Sequence, residues 1–349
     1  VNNPIEQSPL EPVNVAVIGL GFMGITHLLA YQNHPMAQVT AVCGLTHLPV
    51  NGVLRGIAGN IKTSDAINLG PNVKVVSAIE DVLNDPKIQL VDICTPTPMH
   101  PRHVIAALMA GKDVICEKPL ARTSKAAREI LDAAENSPGL LMPAMCMRFW
   151  PGWSLLKQIL MDNTYGKVRA ARFSRMSELP KWSKQDSYAS GNDSGGALFD
   201  LHIHDTDFIN FLFGRPRAVF SSGVLAADNT IHHSITQYDY PEGPVVHAEG
   251  SWLLAQGFNM AYTLHCERAT LDFDLSRGPN ALLISEIGAP IRTIELDQED
   301  GYTHEINYML ECVKERRAPN IVTAHDGLVA LEICEAEEQS IRTGALVKL

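Results

Sequence analysis

The sequence predicts two units in tandem: a doubly wound α/β domain on a parallel sheet, then an α+β domain with helices and an open, mostly antiparallel sheet. Three observations predict it. Short Val/Ile-rich runs alternate with helical segments from Val13 to Cys116, and a glycine-rich turn closes the first run. From Ala218 to Leu296 the texture becomes strand after strand, separated by turn residues.

The elements follow in order. VNVAVIG (13–19) reads as a strand, 22–32 as a helix, QVTAVCG (38–44) as a second strand and VKVVS (73–77) as a third. A short helix over 79–83 leads to LVDICTP (90–96), a helix over 103–110 and DVICEKP (113–119). A helix over 124–135, capped by Thr123 or Ser124, precedes LLMPAMC (140–146). Near-continuous apolar strands between helices are the pattern of strands buried on both faces of a parallel sheet. After Arg148 come a helix (154–160), VRAARFSRM, a Gly/Asp/Ser stretch and a helix from about 197 to 213. Runs such as AVFSSGVL, SITQYDY, VVHAEGSW and ATLDFDL follow, with PEGP and SRGPN as turns, then helices over 305–315 and 325–342. The expected division is 1–147 and 148–349.

Composition bounds the function. The 349 residues are 46% hydrophobic and 19% charged, ordinary for a globular enzyme of two domains. A net charge of −11 disfavours nucleic acid and anionic membrane as partners. Seven cysteines, scattered singly, read as reduced thiols, and no apolar run is long enough to span a bilayer. The expected compartment is the cytoplasm.

Three motifs carry chemistry. Gly19-Leu20-Gly21-Phe22-Met23-Gly24 follows the first strand and opens a helix. In that context Gly19 permits a tight turn, Gly21 lets backbone approach a pyrophosphate, and Gly24 lets the helix pack on the strand. The helix N-terminus, with Phe22 and Met23 in its first turn, offers N–H groups to phosphate. A dinucleotide whose ribose is read as NAD calls for an acid near the end of the second strand. Here stands Val42-Cys43-Gly44-Leu45-Thr46-His47, without one. The cofactor is therefore NAD or NADP, with NADP expected to bind at least as well and His47 or Arg55 as candidate phosphate partners. Two loops at the carboxyl ends of later strands belong beside it: the segment with Thr95, Pro96 and His100, and Glu117-Lys118-Pro119. Lys118, carried into that crevice, is a candidate for proton transfer.

The third motif is Gly195-Gly196-Ala197-Leu198-Phe199-Asp200-Leu201-His202-Ile203-His204-Asp205-Thr206-Asp207. Asp200 and His204 are i and i+4 on a helix, so a carboxylate lies beside an imidazole, the arrangement that orients a general base. His202 and His204, at i and i+2, point apart and share no metal easily, and no metal is expected. Arg148, Trp150, Trp153, Arg175, Trp182 and Tyr188 are candidate substrate contacts.

Together GLGFMG, CTPTPMH, AGKDVICEKPLA and GGALFDLHIHDTDFINFLFG resemble the glucose–fructose oxidoreductase, inositol dehydrogenase and rhizopine-catabolism (Gfo/Idh/MocA) family. The likeness extends to the closing IVTAHDGLVALEICEAEEQSIRTGALVKL. It implies an N-terminal Rossmann domain and a C-terminal sheet used for assembly into a homodimer or homotetramer. It places the catalytic lysine, aspartate and histidine on Lys118, Asp200 and His204, and a cis bond at Lys118–Pro119. Hydride would pass between a nicotinamide and a hydroxyl or carbonyl carbon of a sugar, cyclitol or related polyol. Two alternatives stay open: a glycoside hydrolase that retains and recycles NAD, and a non-catalytic sensor of sugar or NAD(P). Presence of all three residues argues against the sensor.

Overall fold

The computed structural model describes residues 11–32, 34–45, 48–55, 66–180 and 194–349. His47, Trp182 and Tyr188 lie outside the described residues.

The first half contains β1 (Val13–Ile18), α1 (Phe22–Tyr31), β2 (Ala37–Cys43), β3 (Val53–Arg55), β4 (Ala66–Asn68), β5 (Lys74–Val76), α2 (Ile79–Leu83), β6 (Leu90–Ile93), α3 (His100–Met109), β7 (Asp113–Glu117), α4 (Ser124–Glu135) and β8 (Leu141–Ala144). Six of these strands form one sheet, in the order β5-β2-β1-β6-β7-β8, and every pair in it is parallel. The order reverses between β1 and β6, so the loops after these strands diverge and leave a crevice at their carboxyl ends. Every residue of β6 and β7 is buried. At ~1.5–3 kcal/mol for each large aliphatic side chain, such strands fix the start of the loops they feed.

The remainder holds α5 (Trp153–Met161), β9 (Val168–Glu178), a π-helical turn (Leu198–His202), α6 (Ile203–Phe213), β10 (Ala218–Leu225), β11 (Ile231–Asp239), β12 (Val245–Leu254), β13 (Phe258–Cys266), β14 (Ala269–Asp274), β15 (Leu282–Glu286), β16 (Arg292–Ile294), α7 (Gly301–Glu315), α8 (Ala324–Thr343) and β17 (Val347–Lys348). A nine-stranded sheet runs β16-β15-β14-β13-β9-β12-β11-β10-β17, antiparallel except for the β9–β12 pair. Its buried residues pack around Trp153, Phe173, Phe208 and Tyr262. Caps define the helix starts: Thr123 accepts from Ala126 N–H, Asp300 from Thr303 N–H, and Thr323 forms a capping box with Asp326.

Four features differ from the sequence reading. α3 begins at His100 and not at 103, because Pro101 suits a helix's first turn. The β3–β4 hairpin was not anticipated; its strands have three residues each, too short for a periodic signal. The helix over 197–213 is π-helical at Leu198–His202 before it becomes regular. Finally, α7 and α8 lend Ile306, Leu310 and Leu331 to the core of the parallel sheet, so the chain's end returns to brace its beginning.

Candidate active site

β1 ends in a turn whose glycines have distinct physical reasons. Gly19 has φ +95°, and a Cβ there would stand 2.4 Å from the Cys94 carbonyl oxygen. A Cβ on Gly24 would stand 1.9 Å from the Gly19 carbonyl oxygen, so only glycine lets α1 approach this closely. Gly24 thus serves packing and does not line the cavity. Gly21 is the opposite case: no atom lies within 4 Å of where its Cβ would be, and it caps α1 without a side chain. The first turn's N–H groups lack intrahelical partners and carry the positive end of the helix dipole. This suits a phosphate.

The glycine turn opens into a cavity of about 950 Å³ at the carboxyl ends of the parallel strands. That is the upper end of the ~300–1,000 Å³ range of ligand pockets. Of the residues anticipated for a cofactor, Gly19, Gly21, Phe22, Met23, Gly44, Thr95, Pro96, His100, Glu117 and Lys118 line it. Arg55 does not. Ser77, Arg102 and His103 also line this end, and no motif pointed to them. The open Gly21 and the uncapped helix start fit a dinucleotide in an extended groove.

His100 braces two of these loops. Its Nδ1 lies 2.8 Å from the Pro119 carbonyl oxygen and its Nε2 2.7 Å from that of Thr95. Burial holds its pKa below the ordinary imidazole value, so a neutral ring donates to one carbonyl at a time. Thr95 Oγ1 in turn contacts His103 Nδ1 at 3.1 Å. The Lys118–Pro119 bond is cis.

At the far end, Lys118, Asp200 and His204 meet on the cavity wall. Lys118 Nζ donates to the Asp200 carbonyl oxygen and lies 3.2 Å from Asp200 Oδ1. His204 is turned into the cavity, and its Nδ1 is buried without a hydrogen-bond partner among the described residues. Burial, then the charges of Lys118 and Arg175, hold its pKa well below the ordinary imidazole value. It is therefore neutral at neutral pH. His202 points elsewhere, its Nε2 3.2 Å from Tyr238 Oη and 3.6 Å from Glu337 Oε1.

The anticipated substrate contacts separate into two groups. Trp150 and Arg175 line the cavity, although the Arg175 guanidinium is engaged with both Asp205 oxygens (2.9 and 3.1 Å) and the Met260 sulfur. Arg148 does not reach the cavity. It grips both Asp207 oxygens at 2.9 and 2.6 Å and the Ile321 carbonyl at 2.7 Å, under the Phe211 ring. A cation among apolar side chains needs such a partner, and that requirement holds it inside. Trp153 is fully buried, 4.9 Å from the Phe208 ring and 5.2 Å from that of Tyr262, so it is core. Met147, Phe258, Met260 and Tyr302 do line the far end. They are ordinary apolar positions in the sequence, and only the fold gathers them.

The comparisons with known proteins bear on the family and the fold. Residues 13–145 match a family described as an oxidoreductase family with an NAD-binding Rossmann fold, and residues 153–272 match the GFO/IDH/MocA C-terminal domain. Levoglucosan dehydrogenase of Pseudarthrobacter phenanthrenivorans is 32% identical over 217 residues, 60% of this chain and 53% of that protein. An NADP(+)-dependent scyllo-inositol 2-dehydrogenase of Bacillus subtilis is 29% identical over 194 residues, 54% of this chain and 52% of that protein. The chain thus matches about half the length of these two relatives. A solved levoglucosan dehydrogenase in complex with NADH and levoglucosan has the same fold, with a TM-score of 0.81 at 21% identity over 97% of this chain and 99% of that one. With both domains matched, the chain belongs to the Gfo/Idh/MocA oxidoreductase family.

Proposed function

We propose that this protein is an NAD(P)-dependent dehydrogenase that interconverts a hydroxyl and a carbonyl on a sugar, cyclitol or related polyol. One observation carries the reading. An ammonium, a carboxylate and a neutral imidazole converge at the end of a cavity whose other end is a glycine turn built for phosphate. The relatives' names support the substrate class and favour neither the hydrolase nor the sensor.

When bound, the nicotinamide supplies the hydride acceptor or donor. Gly19, Gly21, Phe22 and Met23 would hold its pyrophosphate, and the loops of Thr95 and Lys118 line the same cavity. In the oxidative direction His204 accepts the substrate's hydroxyl proton. Lys118 donates a hydrogen bond to the same oxygen as charge builds on it, and Asp200 holds the Lys118 ammonium in place. The apolar wall at Trp150, Phe258 and Met260 takes one face of the ring and excludes water. NADP binds at least as well as NAD, because no acid stands at the Cys43–Gly44 turn to repel a 2′-phosphate.

The division into a cofactor domain (1–147) and a substrate domain (148–349) is part of this proposal. So is assembly into a dimer or tetramer through the outer face of the nine-stranded sheet, where Phe220, Ile235 and Val245 are exposed. Unpaired thiols at all seven cysteines support a reducing compartment, the cytoplasm. Among the described residues no helix is long and apolar enough to cross a membrane. The test is a panel of sugars and inositols mixed with protein and each cofactor, read by absorbance of reduced nicotinamide. Sustained reduction with at least one supports the reading, and none across the panel opposes it.

A further inference from the structure

A cluster of ionisable groups lies beneath the cavity floor, and the mechanism above does not use it. His27, on α1 and three residues past Gly24, is completely buried. Its Nδ1 is 2.8 Å from Asp92 Oδ2 on β6. Its Nε2 is 3.1 Å from Glu117 Oε1 at the end of β7 and 3.9 Å from Glu305 Oε1 on α7, ion-pair contacts that lie outside hydrogen-bond geometry. The second Glu117 oxygen accepts the backbone N–H of Lys118 at 3.1 Å. Tyr31, Cys94, Cys146, Tyr302 and Asp300 are among the other titratable groups around this cluster.

We propose that His27 is a positioning residue for Lys118: by bridging Asp92 and Glu117 it fixes the carboxylate that holds the lysine's backbone. The proposal rests on the reading that Lys118 acts on the substrate oxygen.

The charges decide how the bridge works. Two buried carboxylates lie at the two ring nitrogens of His27, and a buried carboxylate is stabilised by a cation beside it. Burial, the largest single influence, opposes a charge on the imidazole, yet Asp92 and Cys94 together outweigh it and hold the His27 pKa well above its ordinary value. Glu305 is the opposite case. Burial, then the neighbouring charges of Glu117 and Asp92, push its pKa well up despite His27, and neither carboxyl oxygen has a hydrogen-bond partner among the described residues. It stays a neutral acid. The bridge therefore runs from Asp92 through His27 to Glu117, with Glu305 as a spectator. Without His27 the Glu117 carboxylate loses its neighbour at Oε1, is free to rotate, and releases Lys118 N–H. The path from α1 to the reacting end of the cavity is then three contacts long: His27 to Glu117, Glu117 to Lys118 backbone, Lys118 ammonium to Asp200.

The experiment uses the full chain labelled with ¹³C at lysine Cε. Lys118 is identified by the signal lost in Lys118→Arg. In His27→Gln this signal should move, with no substrate needed, and kcat should fall tenfold or more while the cofactor Kd stays within threefold. His27→Gln combined with Glu117→Gln should recover part of that kcat, because the uncompensated charge is gone and an oxygen still accepts Lys118 N–H. Glu305→Gln, isosteric with a neutral acid, should leave signal and kcat unchanged. If His27→Gln does not fold, Glu117→Ala takes its place with the same two readouts. An unmoved Lys118 signal, or kcat within twofold of wild type, would overturn the proposal. So would a loss in Glu305→Gln equal to that in His27→Gln, or a stoichiometric divalent metal in the purified protein, which would claim Nε2. Loss of the wider reading is seen separately: turnover would survive Lys118→Met while the lysine signal still responded to His27.

Discussion

Lys118 Nζ stands 3.2 Å from Asp200 Oδ1, a contact between residues 82 positions apart. It ties the loop after β7 to the π turn ahead of α6, so this end of the cavity exists only when both halves of the chain are folded.

Lys118→Met should cut kcat by about two orders of magnitude or more, the loss expected for one acid–base group. Cofactor affinity, measured by fluorescence titration, should stay within a few-fold. Asp200→Asn should also lower kcat. The double variant should lose less than the product of the two single losses, because the pair acts as a unit. A Lys118→Met enzyme with unchanged turnover would remove the lysine from the mechanism.

With His204 as the proposed base, the acid side of the pH dependence should follow its ionisation. A base must be neutral to accept a proton, and burial with nearby Lys118 and Arg175 depresses the pKa of this imidazole. Protonation, and hence loss of activity, begins only as pH falls below that depressed value. In the oxidative direction kcat should stay level as pH passes down through ~6.5, the ordinary histidine value, and decline only at lower pH. His204→Ala should lower kcat by about 10²–10⁴ and abolish the limb. A wild-type limb centred at ~6.5 or above, or one retained in the variant, would place the base elsewhere.

Arg148 shows what residue type does not reveal. It was expected at the substrate, and the structure spends it on Asp207 inside the second domain. Burial works against the Asp207 charge and raises that carboxyl's pKa even beside Arg148. Arg148→Ala leaves this carboxylate buried without its partner and should cost about 3–5 kcal/mol of stability. Thermal unfolding should move down accordingly, while KM for the substrate stays near wild type in the folded fraction. A raised KM at unchanged stability would return Arg148 to the binding site.

The parallel sheet and its glycine turn were legible because each strand's burial is written in its own residues: Val13–Ile18, Leu90–Ile93 and Asp113–Glu117 needed no distant partner to be recognised. The place of Lys118 on the cavity wall was legible because it follows such a strand. Contacts across the chain were not. Trp153 and Trp150 are three residues apart and equally aromatic, yet one is core and the other lines the cavity. His27 passes as one more helix residue until β6, β7 and α7 bring three acids around it. The i, i+4 spacing was expected to set the Asp200 carboxylate beside the His204 imidazole; in a turn that is π-helical and not α-helical the carboxylate lies instead against Lys118, and His204 Nδ1 is buried without a hydrogen-bond partner among the described residues.

Cofactor choice follows from an absence in the sequence at a position the structure puts on the cavity wall. Gly44 lines it directly after β2, its N–H donating to the Val76 carbonyl at 3.1 Å. Gly44→Asp should shift preference toward NAD, by supplying an acceptor for the ribose hydroxyl and repelling a 2′-phosphate. The check is the Kd of each cofactor for both proteins. A wild type that binds NAD more than tenfold better than NADP, a gap of about 1.4 kcal/mol, would contradict the inference.

The central claim is that this cavity passes hydride to or from a polyol carbon. Its most direct test is a sugar or inositol that carries deuterium at the carbon to be oxidised, incubated with the enzyme and oxidised cofactor. Mass spectrometry of the recovered cofactor then reads the transfer. The account predicts deuterium on the reduced nicotinamide, one per turnover, with the transfer lost in Lys118→Met. Oxidation or cleavage of the substrate with no deuterium accumulating on the cofactor would contradict it.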